Sequence, residues 1–171
     1  SSRGLGDVYK RQTKTPLAVF VGAFPGGIPF MLGWVAATGS FGLEAGTLFM
    51  IQFFWQFPHF WAIGWLMFDD YQRAGINMLP SGKRDRKTAL QAVLYSIWTL
   101  VISVFPVLGL TGDLQITVGA AVLVALSGLW LIISSMRLFL KLDQESARQL
   151  MIVSVIYISL IQIIYVIDKL I

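Results

Sequence analysis

A chain of 171 residues with 56% hydrophobic and only 13% charged residues lies outside the range of an ordinary soluble domain. With no cysteine, disulfides and thiolate metal sites are excluded. The net charge of +4 points to nucleic acid only if its distribution is ignored, because the charges lie between apolar runs and not in a basic patch.

Residues 1–12, SSRGLGDVYKRQ, are polar and have neither the apolar core nor the cleavage pattern of a signal peptide. They read as a non-native or disordered remnant, with the membrane domain over 13–171. Apolar runs follow at approximately 17–37, 46–68, 89–110, 114–136 and 149–167. Each is about the length that crosses ~30 Å of hydrocarbon at ~1.5 Å per residue. Continuous apolar runs argue for helices over the alternation of a barrel. The expected fold is an all-α, polytopic transmembrane bundle of five spans. An odd number of spans starting at Thr15-Pro16 predicts a longer protein that has lost its front.

Twelve of the thirteen Lys and Arg residues fall on one side if the spans alternate. They precede span one (Arg3, Lys10, Arg11, Lys14), lie between spans two and three (Arg73, Lys83, Arg84, Arg86, Lys87), or lie between four and five (Arg137, Lys141, Arg148). This asymmetry places the N-terminus and the 69–88 loop in the cytoplasm. The basic excess therefore reads as topology, with no nucleic-acid partner.

Span one carries Gly22, Pro25, Gly26, Gly27, Pro29 and Gly33, which predict a bend or interruption near 25–29. Two readings stand there, a packing kink and a substrate-shaped break. Span two is the most informative. It holds Gln52, Gln56 and His59, the only histidine, and ends at Asp69 and Asp70. On one continuous helix at ~100° per residue, Gln52, Gln56, His59 and Asp70 share a narrow sector. Polar groups are costly in lipid, so the stripe should face a protein interior or a water-filled cavity.

Pro58 should kink the helix beside His59. Trp55, Trp61 and Trp65 read as interface anchors or as packing. The connection after Asp70 is the longest polar one, and its basic groups suit an anionic ligand. Adjacent carboxylates beside such a loop can hold a hydrated magnesium ion on a phosphate, or can simply pair with loop cations. Arg73 and Lys83 are candidate phosphate contacts. His59 is a packing residue, a proton acceptor or an iron ligand, and spacing does not choose among these. In spans three to five, Gly119, Ser127 and Gly128 read as packing points. Ser154, Tyr157, Ser159, Gln162 and Tyr165 have two readings, as groups that reach a cavity and as helix–helix hydrogen-bonding groups, the second being preferred.

The stretch WQFPHFWAIGWLMFDDYQRAGINMLP resembles the signature of the protoheme IX farnesyltransferase (haem O synthase) family, within the UbiA-type intramembrane prenyltransferases. KTPLAVFVGAFPGGIPFMLGWVAATG resembles the family's Thr-Pro, Gly-Ala-x-Pro and Gly-Trp segment, and the resemblance covers about residues 13–171. Gln56, Pro58 and His59 match its Trp-Gln-x-Pro-His element. Asp70, Tyr71, Ala74, Gly75, Met78, Leu79 and Pro80 match its second motif. Asn77 stands where proline is common, and Ala74 where broader prenyltransferases carry a second aspartate.

The resemblance implies a nine-helix protein of which these are the fifth to ninth helices, the first aspartate-rich motif being absent and the fragment inactive alone. It implies farnesyl transfer from farnesyl diphosphate to a vinyl group of haem b, giving haem O for haem–copper oxidase assembly. It further implies Mg2+, an inner-membrane location, and partners such as a haem A synthase or oxidase assembly factors. Asp70 and His59 are the expected catalytic residues. Asp69, Tyr71, Arg73, Lys83, Gln56 and Gln52 are the expected substrate contacts, with Asp70 and Asp69 holding magnesium through the diphosphate. The alternatives are a quinone-precursor prenyltransferase, which the Pro-His element and Ala74 disfavour, and a transporter, which should show an internal repeat.

Overall fold

The structure, a computed structural model, describes residues 17–171. The expectation for residues 1–12 and the charges of Arg3, Lys10, Arg11 and Lys14 lie outside the described residues. Six α-helices follow one another: α1 Leu17–Thr38, α2 Leu43–Leu66, α3 Phe68–Arg73, α4 Arg86–Val104, α5 Val118–Lys141 and α6 Gln144–Leu170. A 3-10 turn over Phe105–Leu108 extends α4. Among the described residues there is no strand, and the all-α class expected from the apolar runs is the observed one.

Four helices are long and apolar enough to cross a membrane: Val19–Thr38, Arg86–Leu108, Val118–Lys141 and Gln144–Leu170. The remaining long helix, α2, has 24 residues and hence the length to span, at ~1.5 Å per residue. Its Gln, His, Pro and Trp residues lower its mean hydropathy below that of its neighbours. Of the five expected spans, four meet both criteria and α2 meets length alone.

Helix ends depart from the apolar runs because polar caps set them. Asp85 and Asp143 accept from the N–H groups of Thr88 (2.9 Å) and Ser146 (2.8 Å), starting α4 and α6 before the lipid-length sequence begins. Conversely, Leu114 and Ile116 are apolar yet lie in the loop that precedes the Thr117 cap of α5.

Helix α2 is the centre of the bundle. It packs against α1, α4 and α6, while α5 closes the ring between α4 and α6. Trp61 and Trp65 are almost wholly buried and Trp55 nearly so, which makes all three packing residues. An aromatic cluster of Phe20, Phe53, Phe57 and Tyr95 joins α1, α2 and α4. The outward faces are apolar instead of polar: Leu94, Trp98 and Val101 on α4, Leu123, Leu126 and Ile133 on α5, Ile152 and Ile163 on α6. A surface of that composition suits lipid and not water.

Helix α1 continues through Pro25 and Pro29, so the chain is not interrupted near 25–29, and α2 continues as one helix through Pro58. The carbonyls that a proline leaves without an N–H partner do not by themselves end a helix held by neighbours on other faces. Of the expected packing points, Gly128 lies against Leu100 and Ser127 is buried, while Gly119 is open. The far ends of the helices are tied together. Glu44 accepts from the N–H of Asp113 (3.0 Å), and Asp168 accepts from the N–H of Thr117 (2.8 Å). The Lys169 ammonium donates to the Asp113 carbonyl (2.9 Å).

Burial works against the charge on Asp85, but hydrogen bonds from the Thr88 N–H and from the Ser81 hydroxyl (2.7 Å) outweigh it. They hold this carboxyl below its ordinary range. A carboxyl whose folded pKa lies below its unfolded one adds stability in full above the ordinary carboxylate range. That stability is lost as pH falls through the depressed value. Asp85→Asn, which keeps a cap, should flatten this acid limb of the stability profile. Asp85→Ala should cost about 1 kcal/mol at neutral pH. Thermal unfolding in detergent from neutral pH down through the ordinary carboxylate range and below it checks both, and an unchanged acid limb in Asp85→Asn would refute the assignment.

Candidate functional site

The polar groups of α2 are distributed by its helical period. Phe49, Phe53 and Gln56 face α1, Phe57 and Trp61 face Tyr95 of α4, and Trp55 and His59 face α6. Gln52 and Ile63 fall in the sector left between α1 and α6, with His59 at its α6 edge. Because α1 and α6 pack on α2 and not extensively on each other, this sector forms the floor of a groove.

Each polar side chain there is fixed differently. The Gln56 amide donates to the Ala23 carbonyl of α1 and to the Gln52 carbonyl of its own helix, both at 3.2 Å. Gly26 makes this possible, since a Cβ at that position would occupy the space of the Gln56 amide. Gln52 is buried and its Oε1 has no hydrogen-bond partner among the described residues. An orphaned buried acceptor is costly and is a natural place for a ligand or water donor. His59 Nδ1 lies 2.8 Å from the Ser154 hydroxyl of α6, and the Trp55 ring stacks on the imidazole at 4.9 Å.

The helix does not continue from this stripe to the carboxylates. Met67, at φ −94° and ψ 20°, ends α2, and Asp69, Asp70, Tyr71 and Arg73 belong to the separate six-residue α3. The single continuous helix assumed for Gln52 through Asp70 is therefore corrected, and Asp70 is reached across a joint. Arg84 holds that joint. Its Nε donates to the Trp65 carbonyl (2.7 Å) and Nη2 to the Leu66 carbonyl (3.4 Å), while Nη1 meets Asp69 at 3.4 Å. The guanidinium also lies over the Phe68 ring at 5.0 Å. A cation on the last carbonyls of α2 complements the negative end of the helix dipole.

The loop that follows folds back onto the same end. A Cβ on Gly64 would meet Met78 Cβ at 2.9 Å and Leu79 Cδ2 at 3.2 Å, and Leu79 is 1% exposed. Met78 and Leu79 thus use the missing side chain of Gly64 to approach α2. Asp70 and Arg73 are 3.6 Å apart with side chains 63% and 81% exposed. So exposed a pair is worth little and opens readily to a ligand. The expected contacts Asp70, Tyr71 and Arg73 share one short helix, whereas Lys83 lies exposed in the loop.

Among the described residues no three His, Asp or Glu side chains cluster closely enough to hold a metal ion by themselves. The donors present, two adjacent carboxylates, are oxygen ligands of the kind magnesium takes together with water and phosphate. They fit such an ion as one part of its shell. An apolar groove of about 390 Å³ lined by Leu100, Val104, Leu108 and Ala125 carries none of this chemistry.

Two residues that organise the site were not identified by their partners from sequence. Ser154 was read as a helix–helix hydrogen-bonding group, which its bond to His59 bears out, but that its partner is the sole histidine is a fact of packing. Arg84 was one of five loop cations, with nothing in its neighbours to mark it as the one that caps α2. The expected hydrogen-bonding groups of α6 otherwise find helix partners. Tyr157 donates to the Ser103 hydroxyl (2.8 Å), Tyr165 to the Ser103 carbonyl, and Ser159 to its own helix, while Gln162 is exposed.

A helical membrane bundle with buried polar side chains on its central helix and exposed carboxylates just beyond that helix's end is the class that fold and site define. Residues 8–161 match the UbiA prenyltransferase family, and the chain belongs to that family. It is 64% identical over 158 residues to a protein of Flavobacterium johnsoniae named Protoheme IX farnesyltransferase, covering 92% of this chain and 53% of the relative. Like-named proteins of Christiangramia forsetii and Cytophaga hutchinsonii are 61% and 40% identical, each over 92% of this chain and 53% or 54% of their own length. The chain spans about half the length of the curated relatives it matches. No solved structure matches it.

Arg84→Met keeps the aliphatic stem and removes the hydrogen bonds to Trp65 and Leu66. It should cost about 1–2 kcal/mol and expose the 76–84 loop to proteolysis. Arg84→Lys should not restore the loss, lacking the fork that reaches two carbonyls. Full protection in Arg84→Met would refute the capping role. Gly64→Val should lower stability by about 1–3 kcal/mol through overpacking. Gly46→Ala, with nothing within 4 Å of the added methyl group, should leave the unfolding midpoint nearly unchanged.

Proposed function

We propose that the protein to which this chain belongs transfers farnesyl from farnesyl diphosphate to a vinyl group of haem b, forming haem O. One observation carries the reading: the extent of identity to proteins named protoheme IX farnesyltransferase, a name that states farnesyl transfer to protohaem IX. The groove is compatible with it. An anionic head placed among Asp70, Arg73 and Lys83 leaves a hydrocarbon tail and a porphyrin for the apolar and aromatic walls near His59.

In this reading Asp70, assisted by Asp69, Tyr71 and the water around them, holds the diphosphate end through Mg2+. The chemistry that magnesium supplies there is neutralisation of charge on the departing diphosphate. Arg73 and Lys83 contact phosphate oxygens, Arg73 being free to leave its weak pair with Asp70. Gln52 offers its unpartnered carbonyl to a donor in the groove, and Gln56 keeps α1 in place beside it. Burial of the groove restricts water until the allylic cation has been captured by the vinyl carbon. Water and diphosphate oxygens would complete the shell of such an ion, as magnesium is usually held.

The same reading puts the Asp69–Asp85 face on the cytoplasmic side of a bacterial inner membrane, because the basic connections lie there. Haem O would then pass to a haem A synthase or to oxidase assembly factors.

The chain completed by the N-terminal half of a relative should make haem O from haem b, farnesyl diphosphate and magnesium. Asp70→Ala should reduce product by at least about 100-fold, the scale lost when an electrostatic contact to a developing charge is removed. Membrane insertion should be unchanged. Product made at the full rate by Asp70→Ala would remove Asp70 from the site, and absence of haem O from the unsubstituted protein would sink the reaction.

A further inference from the structure

Ser154 is fully buried on α6 and touches α2 twice. Its hydroxyl oxygen lies 2.6 Å from the Met151 carbonyl of its own helix and 2.8 Å from His59 Nδ1. A hydroxyl has one proton and a carbonyl has none, so the contact with Met151 is a hydrogen bond only if Ser154 donates it. At His59 the same oxygen must then accept, and Nδ1 carries the ring proton. A neutral imidazole protonated at Nδ1 leaves its lone pair on Nε2.

Nε2 makes no hydrogen bond among the described residues and is not one of their buried unpartnered atoms. It therefore reaches the surface of the groove sector between α1 and α6. The plane of the ring is held as well. Trp55 stacks on it at 15° and donates its indole N–H to the Ser154 carbonyl at 2.6 Å, so one residue of α6 anchors both aromatic rings. Rotation of the imidazole would break the bond to Ser154 and the stack together.

We propose that Ser154, with Trp55, is a positioning residue that holds His59 as the Nδ1–H tautomer and presents a bare Nε2 as an axial ligand to the iron of a metalloporphyrin. This deepens the proposed function and rests on haem being the substrate. An imidazole that binds a metal through one nitrogen characteristically gives its other N–H to a protein acceptor, which orients the ring and raises its basicity. The Ser154 hydroxyl is that acceptor. The stacked Trp55 and the adjacent Phe60 ring, 5.6 Å from His59, make the surrounding wall aromatic, as a flat apolar macrocycle requires.

His59 is the only histidine of the chain, so 15N-histidine labelling reports one imidazole. In the full chain in lipid nanodiscs, above the pH at which the ring is cationic, Nδ1 should show the protonated shift and Nε2 the unprotonated one. Ser154→Ala should move the ring toward the Nε2–H form favoured in water. Haemin titration should give an imidazole-ligated spectrum that His59→Ala removes. Ser154→Ala should weaken haemin roughly 10- to 100-fold, the usual cost of losing the group that orients a ligand. It should leave metal-free protoporphyrin binding unchanged and have no further effect in a His59→Ala background. An Nε2–H ring in the unsubstituted chain, or equal haemin affinity in Ser154→Ala, overturns the inference while leaving the farnesyl-transfer reading standing. An Nδ1–H ring in a chain that gives no imidazole-ligated haemin spectrum overturns the iron ligation, whereas the haem substrate stands or falls on haem O formation by the completed protein.

Discussion

A polar side chain on a helix that crosses lipid must find its partner inside the protein, because the bilayer core offers none. The arrangement around α2 follows from that constraint. Gln56 reaches across to the Ala23 carbonyl and so fixes α1, and His59 reaches Ser154 and so fixes α6. Tyr157 and Tyr165 of α6 reach Ser103 of α4. Small hydroxyl residues such as Ser96, Thr99, Ser127 and Ser134 need no neighbour, since each bonds a carbonyl of its own helix. Only the longer polar side chains therefore tie one helix to another. Among the described helical residues the exceptions are Gln52, whose buried oxygen has no partner, and Trp34, whose buried indole N–H has none.

The end of α2 shows a second kind of constraint. A helix that stops at the edge of the apolar layer exposes unpaired carbonyls, and here a single guanidinium takes up those of Trp65 and Leu66 while touching Asp69. The cap couples the membrane helix to the loop, which packs Met78 and Leu79 against Gly64. It leaves Asp70 and Arg73 in a weakly paired, exposed position on α3. The site is thus rigid at its buried end and adaptable at its mouth. That division suits a ligand whose apolar body must be placed accurately and whose charged end brings its own metal and water.

Much of this was legible from residue order. Apolar runs of membrane length marked the helices, and the polar stripe on the second run marked the groove, because both depend on local composition and on a fixed helical period. Prolines did not mark the helix end. Helices α1 and α2 continue through Pro25, Pro29 and Pro58, and the break falls at Met67, which carries no sequence signal. A proline removes one hydrogen bond, whereas the chain direction at Met67 is set by Arg84 and by the loop packed on Gly64, residues distant in sequence. The tryptophans of α2 were equally ambiguous between lipid boundary and core, and helix packing resolved them as core.

Composition and periodicity, which are properties of neighbouring residues, determined that this chain is a helical membrane protein with its basic connections on one face and one unusually polar helix. The motif around His59 and Asp70, read with the same local logic, indicated the family. What only the tertiary structure decided is which polar groups meet: Ser154 with His59, Arg84 with the end of α2, Gln56 with α1, and Gln52 with no described residue. Those pairings join positions that are 95, 19 and 33 residues apart for the first three. Hydrogen bonds of that range depend on how helices cross and rotate against one another. That geometry is chosen by the packing of the whole bundle, and no local pattern encodes it.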